Sequence, residues 1–284
     1  MQGSLEQRLA AKYESLSDKL REAGNYLIRH QLDTATRSLR SVANDSGLAP
    51  ATFSRLAKAL DYGSYEELRD VVRASVGQQI SFADKARQLR ESPDMADGLS
   101  FLNRQSEACI ANIATQVNTA TPGQLERTVA RLADAREVFL HGELASAVIV
   151  DYFAYLAKWF NDNWTVTGHR GDSLGAVLAR VTDRDVGVVI SKTPYAARAQ
   201  RAAALFKEKG AAVVVITDSH SCPAFPFADE GFIVPSESPQ FFSSHAATLV
   251  LIESIVGMLV ARAGLTAEER IRRVERENRT LESG

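Results

Sequence analysis

The chain has 284 residues, of which 33 are Lys or Arg and 35 are Asp or Glu, and its formal net charge is −2. This balance excludes a uniformly basic nucleic-acid-binding protein, so any such role must come from a local basic patch. The length predicts about two domains. The cysteines, Cys109 and Cys222, lie far apart in sequence and match no metal or redox spacing.

The first part of the chain predicts helices throughout. Residues 5–75 show helical periodicity without a convincing strand, and residues 36–60 indicate two short helices with Gly47 between them. A polar helical stretch follows, with one long helix predicted at roughly 99–119. We therefore predict three regions: an all-α helix-turn-helix domain at 1–78, a helical linker at 79–121 and an α/β domain at 122–284.

The pattern changes at Arg136. Helical segments of about 10–20 residues alternate from there with short apolar runs, EVFLHG, WTVTG, DVGVVIS, AAVVVITD and GFIVP. Such alternation predicts a doubly wound parallel sheet of about five strands, covered on both faces by helices. The later apolar segment 246–261 contains Glu253 and is short for a membrane span, so we expect a buried helix and no membrane association.

The segment 38–62, SLRSVANDSGLAPATFSRLAKALDY, has the pattern of a helix-turn-helix. Gly47 suits the tight turn, and Pro50 suits the first turn of the second helix. Residues 37–58 carry four basic side chains against one acidic side chain, which concentrates positive charge at the motif. The expected DNA-contacting residues are Arg37, Arg40, Ala51, Thr52, Ser54, Arg55 and Lys58. An ordinary helical hairpin is the alternative.

The same segment resembles the N-terminal domain of RpiR-family transcriptional regulators. GLAPATFSRLAKALDYGSYEELR follows the family form GVSPATVSRFARALGFxGYxELR. Ala49 stands where the family usually has serine, and Asp61 where it usually has glycine. The resemblance implies that the helix beginning at Pro50 is the recognition helix.

Polar residues follow three of the predicted strands, in HGELASA (141–147), SKTPYA (191–196) and TDSHSCP (217–223). The carboxyl ends of parallel strands are where small anions bind in such sheets, although Ser and Thr there also serve as ordinary helix caps. This half resembles the SIS (sugar isomerase) domain that RpiR-family regulators carry as their effector sensor. The residues expected to bind the effector are Gly142, Ser146, Ser191, Lys192, Thr193, Tyr195, Ser219 and Glu237.

Both family loops are altered in this chain. The family's GxGxS becomes GELAS, with Leu144 replacing a glycine, and SxSGxT becomes SKTPYA, with Pro194 replacing glycine and Ala196 replacing threonine. Loss of one N–H and one hydroxyl predicts weaker phosphate binding, so a carboxylate, an amide or a non-phosphorylated ligand fits the site. Thr193 followed by Pro194 is also predicted to start the next helix.

We expect a cytoplasmic transcriptional regulator, of the repressor type, without catalytic residues, metal or cofactor. Its expected partners are a double-stranded DNA operator, a small-molecule effector (a sugar phosphate or another small anion) and further copies of itself, as a dimer or tetramer. Two alternatives stay open. One is a sugar-phosphate isomerase that uses Glu237 or His245 as its base, and the other is a regulator with a ligand-free, structural SIS domain.

Overall fold

The computed structural model describes residues 5–76, 82–92, 95, 97–168, 173–220 and 222–282. They form two compact units. The N-terminal unit comprises the described residues up to Leu102, with Ser219, His220 and Pro239–Phe242. The α/β unit comprises Asn103–Asp218, Cys222–Ser238 and the described residues from Ser243 onward.

The N-terminal unit is helical, as predicted. Apolar side chains spaced three or four residues apart on successive helices build one core, with Leu9, Leu27, Phe53, Leu56 and Leu68 at its centre. The helices are α1 (Leu5–Lys12), α2 (Asp18–Arg29), α3 (Gln31–Thr36), α4 (Leu39–Ser46), α5 (Pro50–Ala59), α6 (Tyr65–Val76), α7 (Phe82–Glu91) and the start of α8 (Gly98–Thr119).

The predicted helix-turn-helix is confirmed as α4 and α5. Gly47 ends α4 with a φ of 72°, a left-handed conformation that favours glycine. Asp61, which replaces the family's glycine after α5, also has a positive φ of 60°. Lys12 lies 2.5 Å from the Asp61 carboxylate, and the Arg8 guanidinium donates to the Asp61 carbonyl at 2.9 Å. These contacts hold in place a backbone conformation that aspartate tolerates better than most residues do.

The α/β unit is built on the predicted five-stranded parallel sheet, in the order β2-β1-β3-β4-β5. Its strands are β1 (Val138–Gly142), β2 (Trp164–Val166), β3 (Val186–Ile190), β4 (Ala212–Thr217) and β5 (Glu230–Ile233). Its helices are the rest of α8, α9 (Gln124–Asp134), α10 (Ala145–Lys158), α11 (Leu174–Ala179), α12 (Ala197–Glu208), α13 (Ala246–Ala263) and α14 (Leu265–Glu282).

Helices cover both faces of the sheet, which explains why its strands are almost uniformly apolar. One face packs against α9, α10 and α13, with Phe153 and Ile252 fully buried. The other packs against α11 and α12, where Phe206 lies over the sheet. The division between the units falls between Leu102 and Asn103, so the predicted linker 79–121 is shared between them.

The helix α13 contributes one face to the core of the α/β unit. Leu251, Ile252 and Ile255 are buried, whereas Glu253 and Gly257 are exposed. The prediction of a buried helix therefore holds for one side only. Among the described residues, α13 is the one helix long and apolar enough to cross a membrane, and 33% of its 18-residue window is buried.

Candidate functional site

The outward face of α5 is narrower than the sequence predicts. Ala51, Arg55 and Lys58 are exposed and Ser54 is half-buried, but Thr52 is only 2% exposed. Thr52 lies one helical turn before Leu56, so it belongs to the buried side of the helix. Its assignment as an outward DNA-contacting residue is therefore wrong.

The basic side chains of the motif differ in their surroundings. Arg37 lies 2.5 Å from the Asp45 carboxylate and donates to the Ser41 hydroxyl, so it ties the start of α4 to its end. Arg40, Arg55 and Lys58 are exposed and bond to no other residue that the structure describes. The cations that can meet a phosphate backbone are therefore these last three rather than Arg37.

The strand order places a topological switch between β1 and β3, because the chain leaves β1 for β2 on one side and returns to β3 on the other. Ligands of doubly wound sheets bind at such a point, beyond the carboxyl ends of the strands. Gly142 ends β1 there, and a Cβ at this position would lie 2.6 Å from the carbonyl oxygen of buried Ser146. The turn from β1 into α10 therefore requires glycine.

The loop after β3 begins with two buried residues. The Ser191 amide donates to the Ile216 carbonyl at 3.0 Å, which continues the sheet by one bond. Lys192 is 6% exposed, and its ammonium donates to the Val234 carbonyl at 2.8 Å. Burial lowers the pKa of Lys192 to about 8, against the attraction of Asp218. Lys192, which is predicted to bind the effector, thus has a buried ammonium that is bonded within the chain.

Asp218, directly after β4, organises the next part of this loop. Its carboxylate accepts the Thr193 amide at 3.0 Å and the Tyr195 hydroxyl at 2.8 Å, and the Ser236 hydroxyl lies 3.5 Å away. Burial and, secondly, the Asp218 charge raise the pKa of Tyr195, so its hydroxyl stays a proton donor. The Asp218 carboxylate therefore accepts hydrogen bonds from Thr193 and Tyr195, two residues that are predicted to bind the effector.

These bonds also correct the predicted start of α12. The helix begins at Ala197 with Ala196 as its N-cap residue, and no side chain caps it. Thr193 and Pro194 precede the helix instead of opening it. Because Asp218 accepts from Thr193 and Tyr195, residues 193–195 are held as a turn outside the helix.

The β1 side of the site carries a second carboxylate. Glu143 Oε1 lies 3.3 Å from the Arg198 guanidinium on α12 and 3.6 Å from His141 Nε2. His141 is fully buried in β1, with its Nδ1 2.7 Å from the Thr167 hydroxyl after β2. Side chains from the loops after β1 and β2 and from the start of α12 are thereby linked.

The remaining predicted residues lie in different places. Glu237 is exposed, and its carbonyl accepts the amide of buried Asn112 at 2.8 Å. Ser219 belongs to the N-terminal unit, so the α/β unit by itself does not include it. His245 precedes α13, where burial and the Lys192 charge lower its pKa and keep the imidazole neutral near pH 7.

A depression in the described surface lies at the opposite, amino-terminal edge of the sheet. Its volume is about 520 Å³, and charged residues such as Arg131, Arg136 and Asp185 line it. Arg136 and Asp185 pair with each other at 2.6 Å inside it. Since the doubly wound fold binds ligands at the other edge, we place the candidate site at the strand carboxyl ends.

Comparisons with known proteins agree with this architecture. Residues 131–258 match the SIS domain family model. A curated relative, an uncharacterized HTH-type transcriptional regulator of Haemophilus influenzae, is 21% identical over 269 residues, 91% of this chain and 90% of that protein. The chain therefore contains an SIS domain, and over most of its length it is similar to an HTH-type transcriptional regulator.

Two solved structures share the fold of this chain. The sugar isomerase domain of an RpiR transcription factor from Sphaerobacter thermophilus is 21% identical, covers 61% of this chain and 96% of its own, and has a TM-score of 0.57. The Vibrio vulnificus NanR protein, complexed with ManNAc-6P, is 19% identical, covers 98% of this chain and 99% of its own, and also has a TM-score of 0.57.

Within the SIS domain, Asp218 is the site residue that the sequence analysis missed. It stands in the TDSHSCP segment, where only the hydroxyl groups were considered. Ile190 of β3 pairs with Ile216 of β4, so residues just beyond these two positions must be neighbours. An alignment of the two strands in the sequence would have placed Asp218 beside the SKTPYA loop.

Leu144 provides a stability prediction for the altered GELAS loop. Its φ of 55° and ψ of −131° favour glycine, and its side chain is 62% exposed. We expect Leu144→Gly to raise the free energy of unfolding by about 1 kcal/mol, because relief of strain exceeds the greater entropy of glycine in the unfolded chain. Ala147→Gly, in the helical part of α10, is the control and should lower it by about 1 kcal/mol. Urea denaturation measures both values. Equal decreases in the free energy of unfolding in the two variants would show that the backbone at Leu144 is not strained.

Proposed function

We propose that this chain is an RpiR-family regulator, which binds an operator in double-stranded DNA through α5 and changes its affinity when a small molecule binds the SIS domain. The observation that carries the DNA-binding part is the exposed face of α5, where Arg55 and Lys58 lie opposite a fully buried core. The effector site is the loop cluster around Gly142, Ser191 and Asp218. We propose a cytoplasmic protein that acts as a repressor.

DNA selection from a genomic library tests this function directly. The full-length protein should retain a small set of fragments at physiological salt, and footprinting should show two related half-sites about one helical turn, or a multiple of it, apart. If the protein retained no fragment more strongly than unrelated DNA, it would not recognise an operator. The selected operator then serves as the probe in every binding experiment below.

We infer that α8 transmits a ligand-induced movement in the SIS domain to the DNA-binding unit. The helix begins in the N-terminal unit and continues into the α/β unit. Side chains at 105, 109 and 112, which share one face of the helix, bond to the loop between β5 and α13. That loop also contains Ser236, 3.5 Å from Asp218. A ligand that moves this loop can therefore shift α8.

Asn112 tests this coupling. It is 3% exposed and donates to the Glu237 carbonyl at 2.8 Å. We expect Asn112→Ala to leave operator affinity without effector within about twofold of the wild type, but to reduce the effector-induced change by at least fivefold, which is about 1 kcal/mol of coupling. Fluorescence anisotropy with labelled operator measures both. If the effector changed the operator affinity of Asn112→Ala as much as that of the wild type, the bond from Asn112 to Glu237 would not contribute to the coupling. Asn161→Ala is the control, because half-buried Asn161 lies in the turn after α10 and, among the described residues, its side chain bonds only to the neighbouring Asp162 and Asn163 amides.

The exposed face of α13 predicts self-association. Beside Gly257, the partly buried apolar residues Val256 and Val260 lie on a helix with few charges. Apolar faces of this kind are usually covered in oligomers. Light scattering at micromolar concentration should give at least twice the protomer mass of 31.0 kDa, and Gly257→Glu should lower it. A monomer mass for the wild type would contradict the prediction.

Isomerase chemistry is the second candidate, and the site gives it less support. A proton-transfer reaction needs a positioned base. Glu237 is exposed, and its carboxylate bonds to no other residue that the structure describes. The neutral His245 remains as the possible base. Turnover of a sugar phosphate that His245→Ala abolishes would establish an enzyme instead.

A further inference from the structure

We propose that the Asp218 carboxylate is a built-in anion of the SIS domain, so that the effector presents an uncharged, hydroxyl-bearing group, and not a phosphate, to the loop 191–196. This inference rests on the proposed function, because it names the ligand class of the same site. It narrows the predicted range of ligands, which included sugar phosphates and other small anions.

The first argument concerns hydrogen-bond donors. An anion at the carboxyl end of β3 would use the backbone amides and hydroxyls of the loop that follows. The Ser191 amide already bonds to Ile216, the Thr193 amide bonds to Asp218, and the Tyr195 hydroxyl bonds to the same carboxylate. Pro194 has no amide hydrogen to donate. Three donors of this loop, together with the Lys192 ammonium, are thus taken by groups of the chain itself.

The second argument concerns charge. The two cations nearest the loop are Lys192 and Arg198, and the two anions are Asp218 and Glu143. Arg198 pairs with Glu143 at 3.3 Å, while the buried Lys192 ammonium is attracted by Asp218. The neutral imidazole of His245 adds no positive charge. Among the residues that the structure describes, the charges of this cluster are therefore close to balanced, and none of these residues offers a surplus cation to a phosphate dianion.

The third argument concerns what Asp218 can still accept. A carboxylate has about four lone-pair positions, and the Thr193 amide and the Tyr195 hydroxyl occupy one on each oxygen. The Thr217 and Ser236 hydroxyls approach the other positions only at 3.4 and 3.5 Å, so a ligand hydroxyl can replace these weak contacts. Asp218 is half-buried, so the remaining positions can meet a ligand. Hydroxyl and amide N–H groups donate well to a carboxylate, whereas a phosphate oxygen would be repelled by it. A sugar or polyol without phosphate meets these requirements.

The test is Asp218→Asn, which keeps the shape of the side chain but removes its charge. Asp183→Asn is the matched control, because Asp183 is exposed at the opposite edge of the sheet. The probes are inorganic phosphate, ManNAc-6P and the same sugar without phosphate, titrated by calorimetry at low salt. We expect the affinity of the Asp218 variant for both phosphate compounds to exceed that of the wild type by at least about tenfold, with no gain in the control.

A third variant distinguishes the effect of Asp218 on phosphate affinity from the effect of the altered loop. Pro194→Gly with Ala196→Thr restores the family's residues but keeps the carboxylate, so it should gain little phosphate affinity. Phosphate binding that this loop variant gains on its own would overturn the proposal. So would equally tight binding by the wild type, or the absence of binding in the Asp218 variant. If Asp218→Asn does not fold, as judged by its thermal transition, Asp218→Ser is the second variant, with the same expected gain.

The outcome is distinguishable from failure of the proposed function. Operator affinity without ligand is measured on the same protein preparations. If the wild type binds both the operator and phosphate, the proposal about Asp218 fails and the regulator stands. If the wild type binds no operator, the proposed function fails, and the phosphate titrations still decide whether Asp218 excludes anions.

Discussion

Replacing Arg55 and Lys58 together with alanine is expected to weaken operator binding by about 30-fold per protomer at physiological salt. Both side chains are exposed on α5 and can contact DNA phosphates. Each phosphate contact that is lost removes the release of one counterion, which is worth about five- to sixfold in affinity at 0.15 M salt. The slope of log affinity against log salt should therefore become shallower by about 2 per protomer.

The control for this prediction removes the same charge elsewhere. Arg201→Ala with Lys209→Ala changes two exposed cations of the SIS domain, so it should leave the salt slope within about 0.5 of the wild type. Neither double variant should unfold, because all four side chains are exposed. Unchanged operator affinity in the α5 variant, with a normal thermal transition, would show that α5 is not the recognition helix.

Gly142→Ala is expected to destabilise the SIS domain by about 1–3 kcal/mol and to abolish the effector response. The new Cβ would lie 2.6 Å from the Ser146 carbonyl oxygen and 2.9 Å from its carbon, and backbone atoms cannot move aside without shifting the start of α10. In a domain of this size, the loss lowers the melting temperature by several degrees, about 2–4 °C per kcal/mol.

Gly175→Ala is the control for this substitution. Its added Cβ would approach the Ser173 hydroxyl at 3.6 Å, an ordinary contact, and it lies within α11. We expect it to stabilise the protein by about 0.5–1 kcal/mol, because alanine favours helix more than glycine does. If the two alanine variants had equal melting temperatures, the close approach at Gly142 would not constrain the fold.

Local sequence patterns were sufficient to predict the five strands and the helix-turn-helix. The run DVGVVIS predicts β3 because a strand covered on both faces is apolar at every position. Gly47 and Pro50 marked the turn of the helix-turn-helix because their backbone preferences act within a few residues. The order of the strands, and with it the switch point between β1 and β3, required the structure.

Two of the corrections, at Thr193 and Lys192, have the same physical cause, which is contact with residues distant in the chain. Thr193 has the residue type of a helix cap, but Asp218, 25 positions later, accepts its amide and holds it outside α12. Lys192 is predicted to bind the effector, but its ammonium donates to the Val234 carbonyl, 42 positions later. For Thr52 the cause is different, since its position on the buried side follows from the phase of α5, which the residue types alone left undetermined.

The most direct test of the whole account is the operator affinity of the full-length protein with and without a bound effector. Compounds are first chosen by the increase in melting temperature that they cause in the wild type, from a panel of sugars, polyols, sugar phosphates and organic acids. We predict that at least one uncharged, hydroxyl-rich compound raises the melting temperature and changes operator affinity by fivefold or more, about 1 kcal/mol, and does neither in Gly142→Ala. Compounds that stabilise the wild type but leave its operator affinity unchanged would contradict a metabolite-controlled regulator.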